Sequence, residues 1–126
     1  MITVTKNFSF EACHHLPHYV GACHNLHGHS YKLSVTVGGN IIKDTNNPKC
    51  GMIVDFKDLK HIVKEVAVDK YDHCNLNDYF PNPTAENMVS VISSDIISRL
   101  PEGVHLVSVK LWETADSYAE YSILES

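Results

Sequence analysis

The stretch Cys23-His24-Asn25-Leu26-His27-Gly28-His29 packs one thiol and an H-x-H pair into seven residues. From Gly28 onward the chain alternates: Tyr31, Leu33, Val35 and Val37 fall on one face, and Ser30, Lys32, Ser34 and Thr36 on the other. His27 and His29 continue the apolar parity. In a strand, residues i and i+2 project the same way about 6.5–7 Å apart, so both imidazoles can reach one ion about 2 Å from each. Gly28 between them leaves the opposite face open.

A third ligand is available near the start of the chain. Ile2, Val4, Phe8, Phe10, Ala12 and His14 share one parity, with Thr3, Thr5, Asn7, Ser9, Glu11 and Cys13 on the other. If the first two strands pair as a hairpin, His14 meets His27 and His29. Three neutral imidazoles with an open fourth position are the arrangement of a catalytic zinc, whereas a closed structural site takes four ligands and favours cysteines. An H-x-H pair also occurs incidentally on polar surface strands; the parity of His14 and the nearby Cys23 weigh toward the metal.

Several elements must position these groups. A chain of 126 residues with 44% hydrophobic content can build one core, so one domain over residues 1–126 is expected. A net charge of -5 with ten Lys and Arg and no basic cluster argues against a nucleic-acid or membrane surface. The first ten residues alternate polar with apolar and lack the pattern of an export signal, and no stretch resembles a membrane span. Cys13, Cys23, Cys50 and Cys74 show no zinc-finger pairing, so reduced thiols and a cytoplasmic location are expected. Nine histidines are unusual for this length, and chemistry is the simplest explanation for several of them.

The pattern predicts strands over 2–12 and 28–38, separated by a loop carrying Pro17 and Gly21. Residues 38–51 are rich in turn formers. Asp55 is a good N-cap for a helix ending near Asp69, with Phe56, Leu59, Ile62, Val63 and Val66 on one stripe. Residues 72–78 read as an irregular loop. Thr84 caps a second helix whose stripe is Met88, Val89, Ile92, Ile96 and Leu100, stopped by Pro101 and Gly103. Val107, Val109 and Leu111 mark a third strand, and Ala119, Tyr121 and Ile123 a fourth. The order strand, strand, helix, helix, strand, strand predicts an α+β fold, an antiparallel sheet with both helices on one face.

Two further places could carry chemistry. In Asp72-His73 a carboxylate neighbours an imidazole and could set its tautomer, although adjacent side chains seldom bond directly and such dipeptides are common surface decoration. Glu113 shares the parity of Val107, Val109 and Leu111, so it ends a buried row, where a ligand with adjacent N–H donors would serve it; a solvated strand-end glutamate fits the same pattern. His15, His18, His24, His61 and His105 are not assigned as ligands, and Cys13, Cys50 and Cys74 are read as plain thiols.

With these residues in hand, the chain resembles the 6-pyruvoyl-tetrahydropterin synthase superfamily, and within it the 6-carboxy-tetrahydropterin synthases that serve queuosine and other 7-deazaguanines. The likeness runs along essentially the whole chain. It is carried by Phe10-Glu11-Ala12-Cys13-His14-His15-Leu16-Pro17, by Cys23 to Tyr31, by Gly51-Met52-Ile53-Val54-Asp55-Phe56, by Leu76-Asn77-Asp78, by Asn82-Pro83-Thr84-Ala85-Glu86-Asn87 and by Glu113-Thr114. The resemblance implies a T-fold whose ββααββ units join into barrels, as a homohexamer of two stacked trimers with active sites between subunits. It implies zinc on His14, His27 and His29, Cys23 as the catalytic thiol, Asp72 and His73 as its acid–base partners, and Glu113 as the anchor of the pterin ring.

The implied substrate is 7,8-dihydroneopterin triphosphate. Three residues separate Cys23 from His27, which is similar to the carboxy-forming branch and shorter than in the pyruvoyl-forming branch. The implied products are therefore 6-carboxy-tetrahydropterin, acetaldehyde and triphosphate. Pyruvoyl-tetrahydropterin synthesis, an aldolase-like activity on dihydroneopterin phosphates and a non-catalytic zinc or pterin-binding protein are the alternatives, and Cys23 argues against the last. Lys6, Lys32, Lys110 and the loop histidines are the candidates for holding the triphosphate. The polar rows on strands one and two would line a wet barrel interior.

Overall fold

A computed structural model describes residues 1–123. β1 (Ile2–His14) and β2 (His27–Gly39) pair antiparallel from Ile2↔Gly39 to His14↔His27, the hairpin that the alternating patterns predict. β4 (Val104–Thr114) lies antiparallel to β2, and β5 (Ser117–Ser122) antiparallel to β4. Between the hairpins come α1 (Phe56–Val63), a wider π-helical stretch over Lys64–Val68, the single turn α2 (Asp69–Tyr71) and α3 (Ala85–Ile97). The α+β class and the ββααββ order are as expected.

The sheet has five strands and not four. Cys74–Asn75, inside the segment read as an irregular loop, form a short β3 parallel to Ala12 and Cys13, giving the order β3-β1-β2-β4-β5. A two-residue strand has no periodicity to detect.

Side-chain parity decides which face is covered. Phe10, Ala12, Leu33, Val35, Val37, Val109 and Leu111 of the sheet pack with Leu59, Val63, Ala67, Met88, Ile92 and Ile96 of the helices in one apolar core. The opposite face is polar, with the Thr5 and Thr36 hydroxyls bonded across strands at 2.7 Å. Asp55 and Thr84 cap as expected, their side chains accepting from the N–H groups of Lys57 and Asn87.

Three expectations about the core are corrected. Phe56 is 50% exposed, because it is the first helical residue and points away from the sheet. The helix runs past Asp69 to Tyr71, and its π stretch turns the buried stripe so that Ala67 and Val68 are buried while Val66 is half-buried. Val107 is not a core residue: the pairing steps from Thr36↔Ser108 to Val37↔Leu106, a bulge that leaves Val107 over and buries Leu106 instead. α3 ends at Ile97, and Leu100 follows it, partly buried against the core. No helix among the described residues is long and apolar enough to cross a membrane.

Candidate metal centre and active site

His14 is the last residue of β1 and His27 the first of β2, directly opposite each other, while His29 opposes Ala12. Opposite residues of an antiparallel pair have Cβ atoms about 4.5–5.5 Å apart, so the hairpin brings three same-face imidazoles to one end of the sheet. Their ring centroids lie 4.7, 5.0 and 4.8 Å apart, edge to face. One potential ligand atom from each lies within 4.8 Å of the others.

Main-chain carbonyls settle the tautomers of two of these rings. His14 Nδ1 is 2.8 Å from the Pro83 carbonyl and His27 Nδ1 is 2.7 Å from the Asn25 carbonyl. A carbonyl only accepts, so each Nδ1 carries the proton and each Nε2 presents a lone pair. The two bare Nε2 atoms face each other at 3.1 Å. His29 Nε2 is buried with no hydrogen-bond partner; Glu113 Oε1 stands 3.5 Å away, within ion-pair range but outside hydrogen-bond geometry. Nitrogens in a tetrahedral zinc site with bonds of about 2.0–2.1 Å lie about 3.3 Å apart, so this donor set fits a metal ion.

Burial holds His14 below its ordinary pKa, opposed by the Pro83 hydrogen bond and the charge of Glu113. Burial likewise lowers His29, with Glu113 opposing and the other two imidazoles adding to the effect. Neutral imidazole is the form that binds metal. Tyr31, buried beneath the cluster, places its hydroxyl 3.3 Å from His14 Nδ1, and its own pKa is raised by burial.

Glu113 reaches the site through a second irregularity. Pairing steps from Trp112↔Tyr118 to Thr114↔Ser117, leaving Glu113 unopposed, and bulges of this kind re-aim a side chain. Its carboxylate is half-buried beside His29 and lines a cleft with Lys32, Trp112 and Thr114. Cys23 sits half-buried on a single helical turn, Ala22–His24, whose carbonyl accepts from Leu16 N–H at 2.9 Å, two residues past His14.

Asp72 and His73 stand elsewhere. They do bond directly, Asp72 Oδ2 to His73 Nδ1 at 3.0 Å, against the expectation for neighbours. The cause is the backbone of His73, at φ 60°, which folds its ring back over the preceding carboxylate. Asp72 Oδ1 also accepts Glu11 N–H at 2.9 Å, and that bond, with the adjacent imidazole, holds its pKa below the usual range. His73 is exposed and lines a cleft with Glu11, Cys13, Gly28 and Ser30 of the polar sheet face and with His29. Among the described residues no hydrogen bond or ion pair joins Asp72 or His73 to the histidine cluster. The chain thus brings together His14, His27, His29 and Glu113, while the acid–base dyad opens on a neighbouring cleft that His29 also lines.

The groups the sequence pattern did not expose are those that aim the ligands: the Pro83 and Asn25 carbonyls and the Tyr31 hydroxyl. Carbonyls carry no residue signature, and Tyr31 reads simply as one of the apolar row; only the turn-forming Asn82-Pro83-Thr84 run hints that a main chain passes near.

The chain belongs to the 6-pyruvoyl tetrahydropterin synthase family, whose model matches residues 3–123. Among its relatives, the 6-carboxy-5,6,7,8-tetrahydropterin synthase of Haemophilus influenzae is 34% identical over 141 positions, 96% of this chain and 99% of that one. The dihydroneopterin monophosphate aldolase of Pyrococcus furiosus is 40% identical over 105 residues, 83% of each chain. The Caenorhabditis elegans 6-pyruvoyl tetrahydropterin synthase superposes with a TM-score of 0.80 at 27% identity, covering 96% of this chain and 94% of that one. The fold is the T-fold of these enzymes, and the family makes this chain an enzyme that acts on pterins.

The lowered histidine pKa values set a pH dependence for the metal-free protein. Below the ordinary value of 6.5, unfolded imidazoles take up protons that folded His14 and His29 refuse. Stability should therefore be complete above 6.5 and fall as pH drops from there toward the folded values. Urea unfolding of chelator-treated protein between about pH 7.5 and 5.5 checks this; constant or rising stability on acidification would contradict it.

Proposed function

We propose that this protein is a zinc-dependent 6-carboxy-5,6,7,8-tetrahydropterin synthase, converting 7,8-dihydroneopterin triphosphate and water to 6-carboxy-tetrahydropterin, acetaldehyde and triphosphate for 7-deazaguanine synthesis. The observation that carries the proposal is the convergence of three imidazoles whose ligand nitrogens lie within 4.8 Å of one another, with His29 Nε2 buried and without a hydrogen-bond partner. His14, His27 and His29 would hold the zinc. Bound there, zinc is a Lewis acid that polarises substrate oxygens and eases loss of neighbouring C–H protons.

The chain's own residues take the remaining roles. Glu113 accepts hydrogen bonds from the pterin's ring and amino N–H groups, a charge-assisted pairing suited to its half-buried carboxylate. Cys23, as the thiolate, removes a side-chain proton. His73, oriented by Asp72 at 3.0 Å, returns protons from the other side of the pterin.

That no hydrogen bond or ion pair among the described residues joins the dyad to the histidine cluster supports a shared site, with Asp72 and His73 of one subunit serving the metal of a neighbour. Two open edges support closure into a barrel. Among the described residues, β1 has β3 beside it only at Ala12 and Cys13, and β5 pairs only with β4. The proposed assembly is a homohexamer of two stacked trimers, each chain a single domain, in the cytoplasm. If sites are shared, Cys23→Ala and His73→Ala chains, each inactive alone, should regain activity when co-assembled, with about a quarter of sites intact in a random mixture. Mixtures as inactive as the separate variants would place the whole site within one chain.

The short Cys23 to His27 spacing and the Haemophilus relative's name support the carboxy-forming branch of the family. The Pyrococcus relative favours, as a second reading, an aldolase that cleaves a dihydroneopterin phosphate. Incubation with dihydroneopterin triphosphate, trapping of volatile aldehyde and identification of the pterin by mass distinguish them. Acetaldehyde with a 6-carboxy pterin is expected, and Cys23→Ala should lower turnover by about 10²–10⁴. A 6-pyruvoyl product without acetaldehyde, or a 6-hydroxymethyl product, would move the protein to a sister activity.

A further inference from the structure

Residues 72–77 run beside the end of β1 as a strap fastened along its length. Asp72 and His73 bond the N–H and the carbonyl of Glu11, and β3 then pairs with Ala12 and Cys13. After β3 the main chain turns into Leu76–Asp78 and leaves the sheet. The next rung is made by a side chain. Asn77 Oδ1 accepts His15 N–H at 2.9 Å, and Asn77 Nδ2 donates to the His15 carbonyl at 3.0 Å. One planar carboxamide thus satisfies both main-chain groups of one residue, as a strand partner would. Asn77 is itself held, its N–H donating to Asn75 Oδ1 at 3.0 Å, with Leu76 fully buried beside it.

The clamp sits at the point where β1 has no other support. Pairing with β2 ends at His14↔His27, and the chain beyond His15 enters a loop toward Pro17 and Gly21. His14 is the most buried of the three imidazoles, and its Nε2 must stay near that of His27 for the three nitrogens to share an ion. Its side chain is aimed from one end by the Pro83 carbonyl, and its main chain is stopped from fraying by the bonds on its C-terminal neighbour. Leu16, next along, bonds the turn that carries Cys23.

We propose that Asn77 is a positioning residue for the metal centre: its carboxamide, clamped on the main chain of His15, holds His14 in register with His27 and His29. This rests on the metal-binding role assigned above to those histidines. The amide reaches none of the reacting groups, so its effect must appear in metal affinity.

Zinc affinities by competition with a chromogenic chelator test the clamp in the full-length chain. Asn77→Ala should weaken zinc binding about tenfold or more, within the range seen when groups behind metal ligands are removed. Ile92→Val, a loss of packing in α3 away from the histidines, serves as the control for general destabilisation and should bind zinc within about twofold of the parent. Asn77→Asp keeps the acceptor for His15 N–H and loses the donor, so it gives a second, milder variant with a smaller loss of affinity. Parent-like affinity in either Asn77 variant would overturn the clamp, as would an equal loss in Ile92→Val. A parent chain that binds no zinc would instead remove the metal site itself, and the clamp with it.

Discussion

Three imidazoles converging at one end of the sheet form the constraint on which the rest of this structure depends. The His14 and His27 Nε2 atoms stand 3.1 Å apart, and His29 Nε2 is buried without a hydrogen-bond partner. Buried acceptors without donors are costly, and a cation in their midst removes the cost. The arrangement is held from outside: Pro83 and Asn25 carbonyls take the Nδ1 protons and turn the Nε2 atoms inward. A set pre-aimed in this way presents its ligand nitrogens to a metal, and burial of His14 and His29 favours the neutral form that binds one.

The sheet explains why the chemistry is divided. Parity puts His14, His27 and His29 on one face of the hairpin, whereas the Asp72–His73 dyad fastens to the main chain of Glu11 along the edge of β1. A strand cannot deliver adjacent positions to the same side. The proposed chemistry needs a metal, a base and an acid around one substrate, so under the proposed shared site assembly would be part of the mechanism. The T-fold offers open edges on β1 and β5 through which such an assembly can form.

Much of the site was legible in the chain because it is built on long, regular strands. Period two placed His14, His27 and His29 on one face without further information, and it placed Glu113 at the end of the correct strand. What escaped were the departures from regularity. A bulge moves Leu106 into the place expected for Val107, and a π stretch rotates the first helix's stripe past Val66. The positive φ of His73 turns a neighbour pair into a bonded pair, and two residues of β3 convert an expected loop into a fifth strand. Bulges, π turns and main-chain acceptors are set by tertiary packing, and a single sequence carries almost no local mark of them. Asn77 shows the same limit, since its motif was visible while the two bonds that give it a role were not.

The most direct measurement is the metal content and coordination of the purified protein. Elemental analysis with zinc X-ray absorption should find about one zinc per chain with three imidazole nitrogens at about 2.0–2.1 Å, and His27→Ala should lose most of the metal. Full zinc retention by a folded His27→Ala protein would contradict the three-histidine centre.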